Sequence, residues 1–324
     1  MSTKKSQILI VLILLVFCLV PAQITNGQSA RAPITGEWRI EFTRKDPEEV
    51  QLTMGLGKSQ NWGDGIKISE LQGLPREAMN APVAVTLRLV RDAGTFELVG
   101  SFRDGKGSGR FTLTPDQSFF SALAVRGYTN LSDNNVFSAA MANLKIASID
   151  ALKASGYDQL TFDNLIESSI FHITPVTIAD LRSAGFDHLA FSQLVEAQIF
   201  KVDGLLVQQA EALGFGKLPF NKLVELRVHK ITPEYMSEIQ QLGFRDLSLD
   251  RVVEFKIFQV TAQFVNDLRA EGFTSVTPQQ LVNLRVFKID MDFVRRAKSQ
   301  DPNITVDGLV DMRIHEKRVS RAIQ

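Results

Sequence analysis

The sequence predicts an α+β protein in which a small antiparallel β-domain precedes an α-solenoid of 29-residue, two-helix repeats. Three observations carry this. Gly127, Gly156, Gly185, Gly214, Gly243 and Gly272 stand at a constant step of 29, the self-similarity of stacked repeat units. An aromatic follows each one (Tyr128, Tyr157, Phe186, Phe215, Phe244 and Phe273), although the chain is only 8% aromatic. Upstream, residues 33–114 lack the helical period and alternate apolar with polar side chains, as half-buried strands do.

Residues 1–22 read as a secretory signal peptide. Lys4 and Lys5 precede the apolar run from Ile8 to Val20, and the small Ala22 follows where cleavage would fall. As a helix the run reaches about 20 Å, against roughly 30 Å of bilayer core; an uncleaved anchor is the alternative. The one cysteine, Cys18, lies inside this segment behind the bulky Phe17, where a lipid-modified signal needs a small residue. The processed chain then holds no thiol, which excludes disulfides, cysteine nucleophiles and zinc-thiolate sites. Its expected address is the periplasm or the exterior of a bacterial cell. Lysine plus arginine equals aspartate plus glutamate at 36 each, so no global field points to nucleic acid or an anionic membrane.

Five strands are expected between 33 and 114. Trp38, Ile40 and Phe42 alternate in the first, Val50, Leu52 and Met54 in the second, and Val83, Val85, Leu87 and Leu89 in the third. Segments opening at Thr95 and Arg110 supply the last two, giving a sheet or small barrel with one wet face. Pro115 and Asp116 then lead into Phe119, Phe120 and Leu123, already in the register of the repeats. No Gly/Ser-rich or Pro-rich spacer intervenes, so a close join is expected.

The array occupies 115–316, with 317–324 as a C-terminal tail. In each unit the first helix opens on a good cap, as at Thr174-Pro175 and Thr232-Pro233. Tyr235, Met236, Ile239 and Leu242 then mark one apolar face. The glycine ends it by entering the left-handed conformation, and the aromatic folds back. The second helix starts after Thr161, Ser248, Thr277 or Thr305, with Asp163, Asp250 or Asp307 in the first turn, where the helix dipole favours negative charge. Its buried position recurs at Val136, Leu165, Leu194, Leu223, Val252 and Leu281, then one residue early at Leu309, where the last copy has lost its glycine. A lone unit buries too few side chains to offset the entropy of ordering it, so stacking must supply the stability.

Motifs for chemistry are sparse. The stretch Gly55 to Ser59 has Leu52 where a phosphate loop needs its first glycine, and the helix-breaking Asn61 to Gly65 stand where that loop needs a helix N-terminus, so Gly55 to Ser59 read as a mobile interstrand loop. Gly105 to Gly109 read as a hairpin turn. The histidines are His172, His188, His229 and His315; no two are four residues apart. His229 and His315 occupy the repeat position of Phe171, Phe200, Phe258 and Phe287, as half-buried aromatic substitutes. No catalytic constellation, metal or cofactor is expected.

Two charge rows follow the repeat. Glu167, Glu196, Glu225, Glu254 and Asp311 share one position, interrupted by Asn283, and Arg227, Lys256, Arg285 and Arg313 recur two residues later. They either cap helices and tie adjacent units together, or line a groove in which the basic row meets a partner's carboxylates.

The segment from Leu223 to Phe244 resembles the short tandem repeats of exported bacterial proteins and of the extracytoplasmic tails of some BlaR-type sensor metallopeptidases. Gly94 to Phe119 resembles the β-rich segment accompanying them. The resemblance excludes the peptidase, whose zinc-binding helix and membrane spans have no counterpart here. The expectation is an exported, non-enzymatic binding or scaffold protein for a protein or peptide partner, with Arg227, Lys256, Arg285, Arg313, Glu196, Glu225 and Glu254 as candidate contacts. The alternative is an envelope sensor whose β-domain holds a small ligand or cell-wall fragment, in a cavity among Trp38, Phe96 and Phe102.

Overall fold

Alternation of buried and exposed residues shapes the first third of the chain. The computed structural model describes residues 31–42, 46–57, 60–75 and 81–322. The signal segment, with Lys4, Lys5, Cys18 and Ala22, lies outside the described residues, as do Lys58 and Ser59. Seven strands form one antiparallel sheet: β1 Ile34–Phe42, β2 Glu49–Leu56, β3 Gln60–Lys67, β4 Leu71–Gln72, β5 Val83–Arg91, β6 Gly94–Arg103 and β7 Lys106–Pro115. Their order is β3-β2-β1-β7-β6-β5-β4. The two strands beyond the expected five are β3 and β4. Asn61 to Gly65, where no strand was expected, form the middle of β3, paired with β2 from Glu49 opposite Lys67 to Leu56 opposite Gln60. Gly63 and Gly65 hide its alternation, and the β2 backbone supplies what local propensity lacks.

The outermost strands, β3 and β4, are joined by a single 3-10 turn, Ile68–Glu70. Three residues span about 10 Å at most. The sheet must therefore curl until its two edges are neighbours, giving a barrel with an open seam, and Arg91 of β5 pairs with Glu70 of the connecting turn at 2.6 Å. Inside, Trp38, Phe96 and Phe102 are fully buried and in ring contact with their neighbours, Trp38 with Phe102 at 5.9 Å and Phe96 with Phe111 at 5.6 Å. The space where a ligand cavity was expected is filled. Glycines make this possible: a Cβ on Gly100 would come within 2.7 Å of the Trp38 ring, and one on Gly107 within 2.5 Å of Phe102. Gly107 and Gly109 thus belong to β7, and the hairpin turn is Asp104 and Gly105 alone, both at positive φ.

The barrel is plugged by the first helices. In α1 (Gln117–Val125) and α2 (Asp133–Met141), Phe119, Phe120, Leu123 and Phe137 share one apolar core with the strands. Phe137 stacks on Phe111 at 5.7 Å and meets Phe96 edge-on. Twelve more helices follow: α3 Ile146–Ala154, α4 Phe162–Ile170, α5 Pro175–Ser183, α6 Phe191–Phe200, α7 Gly204–Ala212, α8 Phe220–Val228, α9 Pro233–Gln241, α10 Leu249–Ile257, α11 Ala262–Ala270, α12 Pro278–Val286, α13 Met291–Gln300 and α14 Val306–Ala322. Even-numbered helices stack in one layer from α4 to α14, and odd-numbered ones pack in the other, α1 on α3 and α5 on α7. Residues 317–322, expected as a tail, continue α14. His229 is half-buried, but His315 is exposed, because no described helix stacks beyond α14.

Each repeat glycine sits at φ between +87° and +96°. The following aromatic returns its N–H to the carbonyl five residues back, as Tyr128 does to Leu123. Second helices use the same turn without glycine. Asn143, His172, Lys201, Lys230, Gln259 and Lys288 recur at φ +52° to +56°, and Leu144, Ile173, Val202, Ile231, Val260 and Ile289 behind them are buried. L-residues can occupy the left-handed well near +55° but not the region near +90°, so only the first set requires glycine.

Candidate functional site

Three cations of the basic row on the second helices tie their units to the preceding ones. Arg227 Nε donates to the Lys201 carbonyl at 3.2 Å, Arg285 Nε to Phe258 at 3.1 Å, and Arg313 Nη2 to Lys288 at 2.9 Å. Those carbonyls close the preceding second helix, where a cation is favoured. Three members of the row lie over aromatic rings of their own unit: Lys256 is 3.9 Å from the Tyr235 centroid, Arg285 5.0 Å from Phe264 and Arg313 4.0 Å from Phe293. A parallel row on the first helices was missed in the sequence. Arg182 donates to the Ser155 carbonyl at 2.7 Å, and Arg269 and Lys298 to those of Leu242 and Glu271.

Two members of the acidic row, Glu225 and Glu254, are paired within the array. Lys222 bridges Glu225 and Asp250 at 2.8 and 2.7 Å, and Arg251 holds Glu254. The carboxylates of Asp250 and Glu225 raise the Lys222 ammonium above its ordinary range. Glu196 is half-exposed on α6, without an ion pair among the described residues.

A row of another kind does reach the surface. Ile170, Ile199, Val228, Ile257 and Val286 stand at the same step of 29, at the ends of α4, α6, α8, α10 and α12, and are 42% to 52% exposed. Stacked second helices lie roughly 8–10 Å apart, so these β-branched side chains form one ladder. Cations flank it: Arg227, Lys256 and Arg285 precede its members, and Lys201, Lys230 and Lys288 follow, exposed and without ion pairs among the described residues. The signal was present in the sequence as a 29-step of aliphatic residues, but apolar recurrence reads as core until burial is known.

At its first rung the ladder meets the barrel. A cleft of about 830 Å³ runs between β3 and the ends of α2 and α4, with Trp62 and Ile66 on one side and Met141, Ile170 and His172 on the other. Among the described residues, no group of three or more His, Cys, Asp or Glu side chains is placed to hold a metal ion, and no helix is long and apolar enough to cross a membrane. Family models, curated proteins and solved structures return no match to the chain, and nothing in them links it to BlaR-type sensors.

Proposed function

We propose that this chain is an exported, non-enzymatic binding or scaffold protein whose helical array docks a protein or peptide along the second-helix face. The observation supporting this reading is the ladder of Ile170, Ile199, Val228, Ile257 and Val286, half-exposed at one position of five successive units. Repeat proteins recognise partners through such registered surfaces, and contiguous exposed apolar rows mark interaction sites more often than scattered residues do. The six flanking cations favour a partner segment that combines apolar and acidic residues. The candidate contacts Arg227, Lys256 and Arg285 take part as the rim of this ladder, while Glu225 and Glu254 serve the fold through Lys222 and Arg251.

A photo-crosslinking amino acid placed at Ile199, Val228 or Ile257 in the expressing cell tests the reading. One adduct of common mass is expected at all three positions and none at Val176, which is 77% exposed on α5. Equal labelling from Val176, or no adduct along the ladder, refutes it. With the partner in hand, Val228→Asp combined with Ile257→Asp should weaken binding by about 2 kcal/mol or more, the scale of a buried interface anchor.

A further inference from the structure

The cleft beside β3 carries an inference independent of the ladder. Residues 61–67 all line it, without a gap. Successive side chains of a strand point to opposite faces, so a cleft that touches every residue runs along the strand's edge, not over one face. Among the described residues that edge is free: β3 ends the sheet order, and its one backbone group with a described partner beyond β2 is the Lys67 N–H, which reaches Glu70 at 3.4 Å. A row of unpaired N–H and C=O groups at this spacing is matched by another extended backbone. Gly63 and Gly65 leave the approach bare, as glycines do where a second backbone comes close.

Charge selects the occupant. Asp64 stands opposite the core residue Leu52, which puts its side chain on the inner face of the sheet, yet it is exposed. Neither Asp64 nor Glu49 has an ion pair among the described residues, and Glu70 already matches Arg91. The facing wall is made by the carbonyl ends of α2 and α4, where the helix dipole is negative. Lys67 stands at the end of the strand. A second copy pairing antiparallel about Asp64 would bring two like charges together, a standard guard against edge-to-edge association. The geometry points to an extended peptide segment bearing a lysine or arginine, which adds as a strand to β3, sets its cation against Asp64, and packs apolar side chains on Trp62 and Ile170.

Two acetylated, amidated seven-residue peptides of alternating valine and threonine, one with lysine and one with glutamate at the centre, test this on the full chain. The lysine peptide should bind about tenfold tighter, the effect of exchanging one attractive charge pair for a repulsive one at a partly exposed site. It should slow hydrogen exchange at the β3 amides that point away from β2. Asp64→Asn should shrink the preference to about threefold or less. The proposal is overturned if the lysine peptide fails to bind up to about 1 mM, if it binds and leaves the β3 amides unchanged, or if Asp64→Asn keeps the full preference. Protection of β3 that grows with protein concentration alone would make a second copy the occupant and also overturn it. The ladder reading is untouched by any of these results, because Ile199 to Val286 lie outside the cleft.

Discussion

Alanine at Gly243 and alanine at Lys230 should have unequal effects, although both positions follow a helix end in a left-handed turn. Gly243 sits at φ +87° and Lys230 at +53°. A Cβ on Gly243 would meet no atom within 4 Å, so any loss comes from the backbone alone. Forcing an L-residue into the left-handed region costs roughly 1–2 kcal/mol, and a φ beyond the +50° to +70° well belongs at the upper end. Alanine's stiffer unfolded chain returns about 0.4–1 kcal/mol. Gly243→Ala should thus lose about 1 kcal/mol, and Lys230→Ala, which exchanges one L-residue for another in the tolerated well, about zero. Native-state hydrogen exchange suits a repeat array, whose units open separately. Amides of α9 and α10 should exchange about fivefold faster in Gly243→Ala and at unchanged rates in Lys230→Ala. Equal rates in the two variants would refute the reasoning that φ, and not packing, placed the glycines.

Three further outcomes follow from the same structure. Phe137→Ala removes the ring that plugs the barrel against Phe96 and Phe111; it should cost about 3–5 kcal/mol, seen as a lowered urea midpoint for the sheet. Arg285→Met keeps cover over Phe264 but loses the bond to the Phe258 carbonyl, and should destabilise α10 by about 1–2 kcal/mol in exchange experiments. Burial pushes the Tyr235 phenol up to about 12, with Glu238 adding to it, and its hydroxyl has no hydrogen-bond partner among the described residues. Its contribution is fully present below pH 10, the unfolded value, and is lost as pH rises through about 12. Ultraviolet difference titration should therefore show this tyrosine ionising late, together with unfolding.

The glycines and the caps were legible because each signals a local backbone requirement. A positive φ near +90° admits little but glycine, and Thr174, Thr232, Ser248 and Thr277 cap helices through their own neighbours' N–H groups. The second left-handed set was not legible, since Lys201 or Gln259 at +55° looks like any surface residue. β3 was missed for the opposite reason: its glycines imitate a loop, and pairing with β2 overrides them. The basic row was visible as a period, but its geometry, Nε on a carbonyl of the previous unit, depends on how units stack.

The sequence by itself determined the repeat length, the capped starts and glycine-marked ends of helices within the array, and the division between alternating and helical texture. These depend on interactions within a few residues, or on a period that any single chain displays. Tertiary structure decided the curl that filled the barrel and left its seam open, and the side of each helix that stayed at the surface. Leu223 and Val228 are both aliphatic and both repeat every 29 residues, yet Leu223 is fully buried and Val228 is 49% exposed. Which of two equivalent apolar rows is covered depends on the direction from which neighbouring helices arrive, and that direction is fixed by packing across units.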